Sequence, residues 1–238
     1  MVIGLITVAT VLVMVGAGFA VVLLTNNNKD KTPAAAPPSS AASSPLPATT
    51  AGPSPTPSRS PLPSTTPTLR SAAKQVSVVG PTWQPNDATQ NLALPGWPFA
   101  FRLPEGWSCL RGTSKTIPDA DVWGCVKTEG TSHQQRMTVM LRRCPTVCTA
   151  DEQSTMNDVW FDSKEKPNVK KFDDTTYWVE TAKNDDGFYA VDFSHFYADA
   201  PGGTLTYEVG VWFQSPDKYK TEMQKSLNDI RSQAPQPA

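Results

Sequence analysis

The chain has 238 residues, of which 39% are apolar, 21 are basic and 22 acidic, for a formal net charge of −1. That balance has no electrostatic footprint for nucleic acid, and the length bounds the folded part to one or two domains. Five basic and two acidic residues precede Leu92, leaving 16 basic and 20 acidic residues beyond it, so the C-terminal part is mildly acidic.

From Val2 to Leu24 no residue is charged and most are apolar. At about 1.5 Å rise per residue, a helix of that length crosses the roughly 30 Å hydrocarbon core of a bilayer. Residues 1–25 are therefore expected to be a transmembrane anchor. A cleaved signal peptide has a shorter apolar stretch, about 7 to 15 residues, behind a basic start; here no Lys or Arg precedes the run. Lys29 and Lys31 follow it and, by charge bias alone, would keep that side cytoplasmic. The spacer and the cysteines argue for the opposite orientation, and the expected location is the cell membrane with the C-terminal domain extracytoplasmic.

Residues 26–90 are dominated by Pro, Ala, Ser and Thr, as in Ala34-Ala35-Ala36-Pro37-Pro38 and Pro53-Ser54-Pro55-Thr56-Pro57. Such a segment buries too little apolar surface to offset its ordering entropy. It is expected to be a disordered linker biased toward polyproline II, which rises about 3.1 Å per residue. The Ser/Thr/Pro mixture is also that of O-glycosylated stalks.

All four cysteines, Cys109, Cys125, Cys144 and Cys148, lie beyond the linker. An even number after a membrane segment points to disulfides in an oxidising compartment. Three connectivities are open, and the pairing nearest in sequence, Cys109 with Cys125 and Cys144 with Cys148, is favoured. Zinc is not expected, because Cys144-Pro-Thr-Val-Cys148 has no second ligand pair at zinc-site spacing. No cofactor is expected either.

The folded domain is expected over residues 91–233, with order starting near Leu92. Phe99 to Leu103 alternates and reads as a strand ended by the turn-forming Pro104-Glu105-Gly106. Val122 to Val126 reads as a second strand and Arg136 to Arg143 as a third, with Met137, Val139 and Leu141 on one face. Thr149-Ala-Asp-Glu152 matches a capping box, so a helix starts there with Met156, Val159 and Trp160 as its buried stripe. Three more strands follow, Thr175–Lys183, Phe188–Tyr197 and Thr204–Phe213.

Asp185-Asp186-Gly187 fits a hairpin turn that sets Asn184 opposite Phe188. Carried along the strands, that register puts Tyr177, Val179 and Thr181 opposite His195, Phe193 and Val191 on the core face. Ser215-Pro216-Asp217 reads as a helix start, and Tyr219, Met223, Leu227 and Ile230 as the stripe of a closing amphipathic helix.

These elements describe an α+β fold, an antiparallel sheet packed by helices. Their order, entered through Phe99-Ala-Phe-Arg-Leu-Pro-Glu-Gly-Trp107, resembles the PsbP-like sandwich over roughly Leu92 to Ser232. It looks closest to the extracytoplasmic PsbP-like domains of actinobacterial lipoproteins and anchored proteins. That resemblance implies binding or assembly roles and brings no shared catalytic set. The four cysteines are not part of the family's pattern.

The same register gathers Trp178, Glu180, Asp192, Glu208 and Trp212 on the outer, polar face of the sheet. Facing carboxylates repel unless something positive lies between them, so this face is a candidate site for a cation or for glycan hydroxyls stacked on a tryptophan. The bland alternative is a solvated face, or one covered by a helix with Arg136 or Arg142 neutralising the acids. No catalytic residue is expected: His133 falls in a loop, His195 on the apolar face, and no nucleophile elbow, His-Glu-x-x-His or phosphate loop is present. The expected function is a non-catalytic, single-pass anchored module at the cell envelope, whose partner is an envelope protein or a cell-wall or lipid-derived ligand. A sensor ectodomain working through a separate cytoplasmic part is the alternative, and a wall hydrolase a more distant one.

Overall fold

The computed structural model describes residues 66–127 and 135–237. The expected anchor, the linker up to residue 65 and His133 lie outside the described residues. No helix among the described residues is long and apolar enough to cross a membrane.

Among the described residues, nine strands and two α-helices make an α+β unit rich in antiparallel sheet. In chain order they are β1 (Thr89–Leu92), β2 (Phe101–Pro104), β3 (Trp107–Gly112), β4 (Asp121–Lys127), β5 (Arg136–Arg143), α1 (Ala150–Trp160), β6 (Lys170–Asp173), β7 (Thr176–Thr181), β8 (Tyr189–Ala198), β9 (Leu205–Ser215) and α2 (Lys220–Gln233). β1 and β2 form a small hairpin sheet, and the other seven make one sheet in the order β3-β4-β5-β9-β8-β7-β6. Every pairing is antiparallel.

Local chemistry accounts for most of these elements. Thr149 Oγ1 accepts the Glu152 amide at 3.3 Å, which is half of the expected capping box. The Thr149 amide instead bonds to Val147 O within the turn that closes the Cys144–Cys148 loop, so Glu152 has no partner there. The buried stripe of α1 is Gln153, Met156 and Trp160, while Val159 is 42% exposed and does not belong to it. Trp160 reaches the sheet because β9 carries Gly210 beneath it: a Cβ there would stand 3.0 Å from the indole and 2.7 Å from Met140 Cε. α2 starts at Lys220, later than expected, because Ser215 still belongs to β9 and a 3-10 turn, Asp217–Tyr219, intervenes.

The helices occupy opposite faces of the large sheet. Trp160 and Phe161 pack with Val122, Met140 and Val179, and partly buried Trp212 joins them. On the other face Met223, Leu227 and Ile230 of α2 are fully buried, as are Val191, Phe193, His195, Val209, Val211 and Phe213 of the sheet. Phe99 packs edge-on to Tyr197 and Trp107 edge-on to Phe213, so the chain around β2 closes the same core.

The outer side of α2 is covered as well, by residues that composition assigns to the linker. Asn228 Oδ1 accepts the amides of Val78 at 2.8 Å and Val79 at 3.2 Å, and its amide donates to Val79 O and Pro81 O at 2.8 Å each. Ser232 Oγ accepts the Val76 amide, and the Arg70 guanidinium donates to the carbonyls of Gln233 and Ala234 at the end of the helix. Asp229 receives both the amide and the guanidinium of Arg102, and Lys225 reaches Asp87 at 2.8 Å. The folded unit thus includes Arg70 to Thr89, and the expected domain start near residue 91 is corrected. The side chains that grip this strap are polar and read as solvent-facing from helical spacing alone.

Candidate functional site

The turn at Gly187 forms as expected, with φ +81° and the Asn184 amide bonded to Phe188 O. The register beyond it differs by one residue. Thr181 pairs with Ala190, so between that pair and the Asn184–Phe188 bond the β7 side carries one residue more, a bulge. From there Thr176 faces His195, Trp178 faces Phe193 and Glu180 faces Val191. A one-residue slip moves every side chain to the other face.

The expected five-residue site is therefore split. Trp178 and Glu180 lie on the α2 face, while Asp192, Glu208 and Trp212 lie on the α1 face, Asp192 being opposite Trp212. Glu180 is held by Lys220 Nζ at 2.8 Å and by Gln224 Nε2 at 3.1 Å. Burial works to raise its pKa, but the hydrogen bonds from Lys220 and Tyr189 outweigh it and hold the carboxyl below its ordinary value. Trp178 carries Lys170 Nζ over its ring at 4.4 Å.

On the other face Glu208 is fully buried and bonded to Arg142 Nε and to Ser194 Oγ, while Arg142 also donates to Met156 O of α1. This is the neutralising arginine of the bland alternative. Asp192 is 5% exposed, and burial first, then Glu165 and Asp162, push its pKa well above the carboxylate range. His195 is fully buried, with Nδ1 3.1 Å from Thr176 Oγ1 and 3.1 Å from Thr175 O. Burial, then the Arg231 charge, lowers its pKa to about 3, so it is neutral at pH 7. Among the described residues no group of three or more His, Cys, Asp or Glu is arranged to hold a metal ion.

Both disulfides have the favoured connectivity. Cys109 and Cys125 are directly opposed on β3 and β4, with Cα atoms 4.1 Å apart, and tie the sheet's first edge. Cys144 and Cys148, 5.4 Å apart, close the loop before α1, where they pack on Met156 and Phe196.

One concavity of this surface lies beside α1. A pocket of about 240 Å³ is walled by Ala150, Ser154, Asn157 and Asp158 of α1 and, across from them, by Phe161, Lys166 and Val169, with Tyr177 of β7 also lining it. Ala150, Ser154 and Asn157 recur at helical spacing, a polar face that sequence reading passes over as solvated. Asp158 and Lys166 form an ion pair at 3.2 Å between the two walls, so the charges at this pocket cancel. Hydroxyl, amide and phenol groups next to two aromatic rings suit an uncharged polar molecule.

Comparison with family models, with curated proteins and with solved structures finds no match to this chain. Function must therefore be argued from the site itself.

Proposed function

We propose that this chain is a single-pass, membrane-anchored module whose domain stands outside the cytoplasm and binds a cell-wall-derived or lipid-derived ligand, or an envelope protein, without transforming it. The observation that carries the reading is the charge-neutral pocket beside α1, lined by Ser154, Asn157 and Tyr177. At about 240 Å³ it lies below the usual range for drug-sized ligands, roughly 300–1,000 Å³, and suits one sugar unit or one headgroup-sized moiety. Two disulfides support an oxidising compartment, and the uncharged run over residues 1–25 supports an anchor. Helices on both faces of an antiparallel sheet are what a PsbP-like sandwich would require, and that family assignment is part of the proposal.

A hydrolase is disfavoured by a specific placement. Glu180 and Asp192, the carboxylates a glycosidase would pair across one bond, project from opposite faces of the sheet.

The test is a thermal-shift series on the full chain in mild detergent, against wall disaccharides, glycerol-phosphate headgroups and divalent cations. A ligand at 100 times its Kd stabilises by about 2.7 kcal/mol, a rise of about 5 to 10 °C for a domain of this size. The rise is expected for an uncharged sugar and should vanish in Ser154→Phe, which fills the pocket. A rise that survives Ser154→Phe, or no rise with any ligand, rejects the pocket as the site.

A further inference from the structure

The seven-stranded sheet ends on β3 at one side and on β6 at the other, and the two edges are built differently. An edge strand offers unpaired N–H and C=O groups to any other chain, and proteins guard it with lysines, bulges or prolines. β6 is guarded: it carries Lys170 and Lys171, and its pairing with β7 shifts between Lys171 and Asp173. β3 has none of these devices. It pairs with β4 without a shift from Trp107 to Gly112, the Cys109–Cys125 disulfide pins the two strands together, and its charged residue, Arg111, is engaged by Asp121 at 2.7 Å.

The disulfide also tells which backbone groups of β3 point outward. In an antiparallel pair, opposed residues with Cα atoms about 4.5 Å apart exchange no backbone hydrogen bonds, whereas those about 5.5 Å apart exchange two. Cys109 and Cys125 are 4.1 Å apart, so Ser108 and Leu110 bond to β4, and Trp107, Cys109 and Arg111 direct their N–H and C=O to the open side. Trp107 agrees: its carbonyl accepts Gln90 Nε2 at 2.8 Å from outside the β3–β4 pair, which closes that end of the edge. Among the described residues no strand pairs with β3 on this side, and no other bond reaches the main chain of Cys109 or Arg111. The open span is therefore Ser108–Gly112. Its middle residue is Leu110, an apolar side chain left 61% exposed.

We propose that β3 is the contact through which a second copy of this chain joins the sheet, the two β3 strands running antiparallel about a two-fold axis at Leu110. That register uses the whole open span. Cys109 lies opposite Arg111 of the second copy, and Arg111 opposite its Cys109, each an outward-pointing pair that exchanges both hydrogen bonds. Leu110 meets Leu110 of the second copy in the close position between them, and Ser108 faces Gly112. The span is thus complementary to itself, as a two-fold dimer requires, and it sets no like charges opposite one another, because Ser108, Leu110 and Gly112 are uncharged. A span this short buries less than the roughly 1,200 Å² of a stable interface, so association is weak and reversible. The contact joins two seven-stranded sheets into one and does not depend on the pocket beside α1.

The experiment is amide hydrogen exchange on the full chain in mild detergent, with micelles in excess over protein, from about 10 μM to about 1 mM, the range in which a small transient interface associates. An amide bonded only in the dimer is protected in proportion to the paired fraction. In the wild type the Cys109 and Arg111 amides should therefore gain at least about twofold protection over that range, while those of Ser108 and Leu110, bonded to β4, should not change. Leu110→Lys and Leu110→Glu each set like charges across the axis and should abolish the gain; the position is exposed, so neither should disturb the monomer. An equimolar mixture of the two variants sets opposite charges across the axis and should restore it. Wild-type protection that does not rise with concentration overturns the proposal, and if it is already complete at the lowest concentration the edge is covered by something other than a second copy. A gain that survives in either variant alone, or a mixture that restores nothing, overturns it equally.

Discussion

Replacing Asn228 with Ala tests whether residues 70–81 are an integral part of the fold. One side chain accepts the amides of Val78 and Val79 and donates to the carbonyls of Val79 and Pro81, with Gly80 O at 3.4 Å as a weaker partner. A typical hydrogen bond contributes about 0.5–1.5 kcal/mol net, and a buried donor left without a partner costs about 1–3 kcal/mol. Val78 and Val79 are each only 8% exposed, so their amides cannot simply turn to water. The expected loss is about 3 kcal/mol, or a fall of roughly 6–12 °C in Tm at this domain size. Urea and thermal unfolding of the full chain, followed by tryptophan fluorescence, measure it, and hydrogen exchange at Val76, Val78 and Val79 localises it. Asn228→Asp keeps the acceptor and loses the donor, and should fall between. A loss under about 0.5 kcal/mol, the scale of an ordinary surface substitution, would show that the strap is not held by this residue and would return residues 70–81 to the linker.

Other perturbations probe the two faces of the sheet. Arg142→Met leaves Glu208 buried without its cation, which should cost about 3–5 kcal/mol, whereas Arg142→Met with Glu208→Leu should recover most of that in the same unfolding assay. The pH dependence of Asp192 has a definite sign. Its unfolded carboxyl titrates near the ordinary value of about 3.9 and its folded one higher. The folded state therefore holds the extra proton between those values, and this contribution to stability is full below about pH 3.9 and lost as pH rises to the folded pKa. Asp192→Asn should unfold later than wild type at pH 7 and show a smaller difference near pH 4; parallel curves would count against the assignment. For the disulfides, chain entropy gives about 3 kcal/mol for removing Cys109–Cys125, at a sequence separation of 16, and about 2 kcal/mol for Cys144–Cys148, at a separation of 4. Paired Cys→Ser variants under non-reducing conditions test that order.

Much of the fold is legible wherever one local signal decides it. The strand Arg136–Arg143 forms with the expected faces, Met137, Val139 and Leu141 pairing with Phe213, Val211 and Val209. Thr149 caps its helix, Gly187 takes the left-handed turn conformation, and Met223, Leu227 and Ile230 make the stripe of the closing helix. β3 and β6 are missed because each is a short edge strand with little alternation to mark it.

The candidate site is where local signals fail. β8 alternates at Val191-Asp192-Phe193-Ser194, but β7 carries Trp178 on one face and Tyr177 and Val179 on the other, so its own sequence does not fix which face meets the core. The hairpin turn alone then sets the register, and a bulge of one residue beyond the turn reverses the outcome for Trp178 and Glu180. The pocket beside α1 was equally hidden, since its two walls come from separate elements and its residues are individually ordinary surface types. Asp162-Ser-Lys-Glu165 closes as a reciprocal capping turn, as its local spacing allows.

By itself the sequence marked most of the strands, both helices and the favoured one of three cysteine pairings, because those signals lie in short spacings along the chain. Only the tertiary structure decided which acids share a face, that Arg142 neutralises Glu208, and that Val76 to Pro81 lie on α2. Those outcomes turn on contacts between residues far apart in sequence, such as Val78 with Asn228 at a separation of 150, where polar side chains find partners that no local pattern announces.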